Sequence, residues 1–226
     1  MVIRQRAVHS EDKQERHHAI LDAAERLLAR APVRVANVAE VADEAGLAKG
    51  TVYLYFPSKD ELLLAVHERR VDQYFRALVD LLRTTDLVSL GAIMDLTRVH
   101  MVERSTFLPL ATRCFGLMQA AVPREVAVAF KGRMAERLAA AGDGLERHFP
   151  ELLPGDGVAL LRHSYALIVG LWQMAASAVE LAAEVPVCGV DRQDYPRELD
   201  RALRALWEGT IGRKLPMGTD MQTEST

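Results

Sequence analysis

From residue 49 to residue 59 the chain reads KGTVYLYFPSK. Ammonium groups at Lys49 and Lys59 and phenol hydroxyls at Tyr53 and Tyr55 are donors of the kind that phosphate oxygens accept. Gly50 lies within a helical stretch, where glycine costs about 1 kcal/mol relative to alanine. That choice makes sense if a phosphate or a base edge approaches the backbone there. At ~100° per residue, Gly50, Thr51 and Leu54 share the outward face, Tyr53 and Tyr55 flank it, and Val52 and Phe56 point inward. Leu54 has two readings, a partly buried packing residue or an apolar contact for a thymine methyl. The chemistry is recognition rather than bond breaking. The sequence contains no GxSxG, HExxH, P-loop or glycine-rich dinucleotide motif, and no cofactor is implied.

Such a helix needs a brace. The residues before it, from Val38 to Ala45, form a short helical segment opened by Asn37 and Glu40 at capping-box spacing and closed by Gly46. Pro57 ends the second segment, and Ser58 with Glu61 opens a long helix from Lys59 to about Arg83. Two short helices joined by a tight glycine turn have helix-turn-helix geometry, in which the second helix enters the DNA major groove. Ahead of them, Ile20, Ala23, Ala24, Leu27 and Leu28 make one apolar stripe of a helix from about Glu11 to Ala31. Arg4, Arg6, Lys13 and Arg16 belong either to a solvated terminus or to an arm that touches DNA.

The 226 residues carry a net charge of −3, with 50% hydrophobic and 26% charged residues. Bulk attraction to nucleic acid is therefore excluded, and a local arrangement must do the work. Cys114 and Cys188 stand in no metal-ligand pattern, and Cys114 reads as a small buried hydrophobe. The basic, polar N-terminus lacks the apolar core of a secretory signal. Ser164 to Ala183 reaches membrane-spanning length but contains Gln173 and Glu180 and is rich in alanine, which favours a buried helix. These features predict a cytoplasmic protein with no membrane association.

The segment AGLAKGTVYLYFPSKDELL, together with ILDAAERLLA in the first helix, resembles the TetR family over roughly residues 17–66. The resemblance implies an all-α homodimer: a three-helix DNA-binding head on a larger helical ligand-binding and dimerisation body of about nine helices in total. It also implies that Lys49, Gly50, Thr51, Tyr53, Leu54, Tyr55 and Lys59 fall at DNA-contacting positions. The chain departs from the pattern at Ala48, where the family often has Ser or Thr, and at Leu54, where it often carries a polar or aromatic residue. The expected division is a head over 1–59 with a flexible arm at 1–10, a body over 60–212 and a disordered tail at 213–226.

Further helices are expected near 87–103, 106–121, 124–148, 157–184 and 195–211. Helix 157–184 is apolar nearly all round, so one face requires a partner, and with helix 195–211 it is expected to form a four-helix bundle with a second copy. The body helices from 87 to 184 are expected to enclose a pocket for a mainly apolar small molecule. The candidate lining is Met101, Phe115, Met118, Met134, Tyr165 and Trp172, with His100, Arg113, His163 and Gln173 as polar groups. Two readings remain: a ligand-responsive regulator, in the form of a repressor binding a palindromic double-stranded DNA operator, or a helical small-molecule-binding or enzymatic protein with a vestigial helix-turn-helix. The intact set from Lys49 to Lys59 favours the first and argues against an enzyme.

Overall fold

The structure, a computed structural model, describes residues 2–31, 34, 36–104, 106–181 and 192–212, and the side chains of all of these except 2–11, 115, 118–120 and 177–181. Among the described residues there are nine α-helices and no strand. Helix α1 runs from Val2 to Arg30 and turns Ile20, Leu21, Ala23, Ala24 and Leu28 inward. Residues 2–10, expected as a flexible arm, therefore continue the helix. Helix α2, Val38–Ala45, opens with the full capping box between Asn37 and Glu40. It ends at Gly46, whose φ of 67° is in the left-handed region that glycine reaches without strain. Helix α3 is Lys49–Tyr55.

Helix α4 spans Lys59–Thr84. Its N-cap differs from the expected box. The Ser58 hydroxyl accepts from the Glu61 amide, and the Glu61 carboxylate takes up that same hydroxyl instead of reaching back to the backbone. Helix α5, Leu90–Thr97, is capped by Ser89 and starts later than the expected residue 87. It passes directly into a π-helical turn, Arg98–Val102. Helices α6 (Phe107–Ala120), α7 (Arg124–His148), α8 (Asp156–Leu181) and α9 (Tyr195–Ile211) complete the body. The expected end of α8 at 182–184 and the tail at 213–226 lie outside the described residues.

Two apolar cores follow. The head core joins α1, α2 and α3 to the first half of α4, with Ile20, Val41, Val52 and Val66 almost fully enclosed. The body core gathers the second half of α4 with the remaining helices around Leu78, Ile93, Leu145 and Ile168. The cores are not separate: Leu110, Cys114 and Phe130, from α6 and α7, pack into the head's cluster. At its far end α7 crosses α8 backbone to backbone. A Cβ on Gly157 would lie 2.4 Å from the Gly142 carbonyl oxygen, and one on Gly142 would lie 2.6 Å from Val158 Cγ2. A Cβ on Gly144 would similarly meet Leu82 Cδ1 at 2.8 Å, so α7 is pressed onto α4 as well.

Because the obstruction at Gly157 is backbone, it cannot swing aside. Gly157→Ala should cost about 1–3 kcal/mol of folding stability through overpacking, seen as a lower urea midpoint with an unchanged slope. A loss below about 0.5 kcal/mol would show that the crossing is looser than described.

Candidate nucleic-acid interface and body cavity

Helix α3 is held by two residues. Val52 and Phe56 are buried in the head core, and the Phe56 ring lies 5.0 Å from that of His17 on α1. The opposite side faces out: Leu54 is 84% and Tyr53 42% exposed, and Lys49 and Gly50 are exposed beside them. A Cβ at Gly50 would meet nothing within 4 Å, so no described neighbour in the chain demands glycine there. Lys49 Nζ sits 5.9 Å from the centre of the Tyr53 ring. Thr51, Tyr55 and Lys59 are half-buried, with Lys59 on the first turn of α4. All seven residues singled out from the sequence thus lie on α3 or at the start of α4. The 84% exposure of Leu54 removes its reading as a packing residue within the chain. Ala48 offers α3 no side-chain cap.

The brace is tied by charge. Glu44 of α2 receives Arg26 and Arg30 of α1, both at 2.7 Å. Glu25 of α1 receives Arg69 and Arg70 of α4, at 2.8 and 2.7 Å. From the other side of α4, Glu68 receives Arg137 at 3.1 Å and also Arg133. Burial would raise the Glu68 carboxyl, but hydrogen bonds from Arg133 and Arg137 outweigh it and hold the group below its usual range.

A cavity of about 610 Å³ opens among α4, the π-helical turn, α7 and α8. Its wall includes Met101, Met134, Tyr165 and Gln173, four of the residues expected there. Four others stand elsewhere. Trp172 turns toward α9, with the Tyr195 ring at 5.4 Å and the Arg192 guanidinium at 5.0 Å from its own ring. Arg113 and His163 are exposed. His100 lies beside the Tyr74 ring at 6.3 Å and outside the lining. A regular helix over 87–103 was expected, whereas the π turn inserts a residue and changes the register; Met101 lines the cavity while His100 does not. The side chains of Phe115 and Met118 lie outside the described residues. No α6 residue whose side chain is described lines the cavity, though that helix was an expected wall, and α4 supplies His67, Val71, Tyr74 and Phe75.

His67 is one of the wall residues that the sequence did not single out. It occupies the apolar stripe of α4 made by Leu63, Val71, Tyr74 and Leu78, and a histidine on such a stripe was the available signal. It is 2% exposed, with the Phe107 ring at 5.6 Å and the Phe130 ring at 6.4 Å. Its Nε2 lies 3.3 Å from the Tyr165 hydroxyl. Burial pushes its pKa down to about 4 from 6.5. Cys114, 1% exposed, has its thiol pushed up to about 12 by burial, which leaves it an inert apolar filler. Among the described residues no group of three His, Cys, Asp or Glu could hold a metal, and no helix is long and apolar enough to cross a membrane.

The folded protein thus keeps His67 neutral down to about pH 4, whereas an unfolded histidine takes a proton from about 6.5 downward. Its contribution to stability is complete above pH 6.5 and is lost as the pH falls toward 4. The loss approaches about 1.4 kcal/mol per pH unit. Urea unfolding of wild type and His67→Gln between about pH 7 and pH 5 should show the steeper decline in wild type. Parallel pH dependences would mean that His67 is not sealed as described.

The family profile "Bacterial regulatory proteins, tetR family" matches residues 20–66, and that of the "Tetracyclin repressor-like, C-terminal domain" matches residues 68–214. The fatty acid metabolism regulator protein of Bacillus subtilis is 32% identical over 62 residues, which are 27% of this chain and 32% of that one. The HTH-type transcriptional regulator EthR of Mycobacterium tuberculosis is 42% identical over 64 residues, 28% of this chain and 30% of its own. The chain therefore spans under a third of the length of these curated relatives. A Mesorhizobium loti structure assigned to the TetR family superposes with a TM-score of 0.59 at 17% identity, covering 88% of this chain and 96% of that one, which speaks for a shared fold. With the two profiles spanning head and body, the chain belongs to the TetR family of bacterial regulatory proteins.

Proposed function

We propose that the protein is a ligand-responsive transcriptional regulator, a repressor without enzymatic activity, working in the cytoplasm as a homodimer on a palindromic DNA operator. The observation that carries this reading is the outward face of α3, where Lys49, Gly50, Tyr53 and Leu54 stand exposed on a helix fixed from behind by Val52 and Phe56. Residues 1–59 act as the head and 60–212 as the body. Thr51 and Leu54 address base edges, and Lys49, Tyr53, Tyr55 and Lys59 address phosphates. Gly50 lets the backbone approach the DNA. The effector is a mainly apolar small molecule in the cavity among α4, α7 and α8. Phe130 supports its coupling to the head, because this one side chain both lines the cavity and packs in the head core. An effector that binds two alternative placements of Phe130 and α4 with unequal affinity would shift the balance between them.

The head is tested by substitution at the phosphate and base positions. Lys59→Ala should weaken binding to all sequences alike and lower the salt slope by about one unit. Leu54→Ala should instead erase a thymine preference at one operator position, a discrimination of about 1–3 kcal/mol. Selection of bound DNA fragments followed by titration at several salt concentrations reads both. Unchanged affinity and salt slope for Lys59→Ala would remove α3 and the start of α4 from the DNA.

Assembly is supported by the faces that α8 and α9 leave uncovered. On α8 these carry His163, Ala166 and Met174, the last 52% exposed; on α9 they carry Ala205 and Gly209. Small residues let helices of two copies approach closely in an isologous bundle. A Cβ at Gly209 would meet nothing within 4 Å among the described residues, so Gly209→Arg is expected to leave the protomer folded. Wild type should sediment as a dimer at micromolar concentration and Gly209→Arg as a monomer. A wild-type monomer, or an undisturbed variant dimer, contradicts this placement.

A further inference from the structure

Resting on the reading of the cavity as an effector site, the charges on its wall narrow what the effector can be. The interior is apolar, with Val71, Phe75, Met101, Phe130, Leu138 and Val169 among the lining residues. Two polar residues of the wall, His67 and Tyr165, meet at 3.3 Å. Burial keeps both the imidazole and the phenol uncharged near neutral pH. The formal charges of the wall are therefore those of Lys131 on α7 and Arg162 on α8, and no Asp or Glu among the described residues lines it. The chain as a whole carries a net charge of −3, so a wall with two cations and no carboxylate runs against its overall balance.

Neither cation is matched within the chain. Arg133 and Arg137 of α7 pair with Glu68 and Asp72 of α4, which flank the lining positions 67 and 71 in sequence. Glu136 of α7 acts on Arg133. Lys131 and Arg162, by contrast, have no ion pair or hydrogen bond among the described residues. Both are exposed, while Phe130 and Leu161, the lining residues that precede them, are buried. The cations thus mark the solvent-facing rim of the cavity, and the apolar side chains mark its interior. A wall in two parts suits a ligand in two parts. An apolar body fills the interior. An anionic head at the rim gains a counter-charge without losing all of its water. A cationic head would meet like charge there.

We propose that Lys131 and Arg162 determine the specificity of the cavity, and that the effector is an amphipathic organic anion with an apolar body and a single carboxylate. The body lies among the apolar side chains of α4, α7 and α8, and the carboxylate stays at the rim between solvent and the two cations. Because both cations are exposed, this attraction is screened by salt, whereas burial of the body is not. Uncharged molecules with the same body are accommodated more weakly, and amines are disfavoured.

The experiment titrates the full-length protein calorimetrically with nonanoate, 1-nonanol and nonylammonium at neutral pH, three heads on one and the same alkyl chain. Nonanoate should bind about fivefold or more tightly than nonanol, the equivalent of one or two exposed ion pairs, and nonylammonium should bind most weakly. Raising the salt from about 0.05 M to about 0.5 M should shrink the preference for nonanoate. In the double variant Lys131→Gln with Arg162→Gln, the ratio of nonanoate to nonanol affinity should fall close to one, with nonanol binding reporting that the cavity is intact. Equal binding of the three probes, tightest binding of nonanol or nonylammonium, or an unchanged ratio in the double variant would overturn the assignment while the cavity's role as effector site stands. Failure of all three probes to bind overturns both.

Discussion

One unbroken helix has to bury residues in two cores. The first part of α4 gives Leu62, Leu63, Leu64 and Val66 to the head, and the rest gives Val71, Tyr74, Phe75, Leu78 and Leu82 to the body. Each such burial contributes on the order of 1.5–3 kcal/mol, so neither half of the helix can be released cheaply. Charge reinforces the arrangement on both sides, with Glu25 of α1 gripping Arg69 and Arg70, and Glu68 of α4 gripping Arg133 and Arg137 of α7. Exposed ion pairs are worth little individually. These carboxylates, 14% and 16% exposed, each serve two arginines, and they fix orientation more than they add stability. Helix α7 is therefore joined to the head both through its ion pairs to α4 and through Phe130, and α4 runs unbroken between head and body.

The cavity follows from where the helices are pinned and where they are not. Glycine pairs the backbones of α7 and α8 at 142 and 157, and Gly144 lets α7 close on Leu82. Away from that end, the side chains of Phe130, Met134, Leu161, Tyr165 and Val169 hold the helices apart along the wall. A π turn completes the enclosure by delivering Met101 from a segment that would otherwise continue α5. The ionic network around Glu68 stays outside the lining, in keeping with the cost of placing charge against apolar surface.

The head was almost wholly legible in the sequence, because its signals are local. Asn37 with Glu40, Gly46, and Val52 with Phe56 each act within one or two turns, and each appears as read. The cavity was only partly legible, because its wall is assembled from helices distant in sequence. Composition singled out Met101, Met134, Tyr165 and Gln173, yet it equally proposed Trp172, whose ring is taken up by Tyr195 and Arg192. Periodicity alone could not foresee the π turn that separates the roles of His100 and Met101. It did hold the clue to α4, where His67 interrupts a run of core positions. The helix itself was expected from its cap at Ser58, and the polar residue on its apolar stripe was passed over.

Helix α3 is only the stretch Lys49–Tyr55, starts without a side-chain cap at Ala48, and carries Gly50 on its first turn. A helix so short gains little from its own hydrogen bonds and owes its order to the anchorage of Val52 and Phe56. Its amides are therefore expected to open by fluctuations far smaller than global unfolding. Contact with a duplex would suppress those openings. Part of the interaction energy would then be consumed in quieting the helix, and association would carry an entropic penalty and a heat-capacity change larger than the contact area alone accounts for.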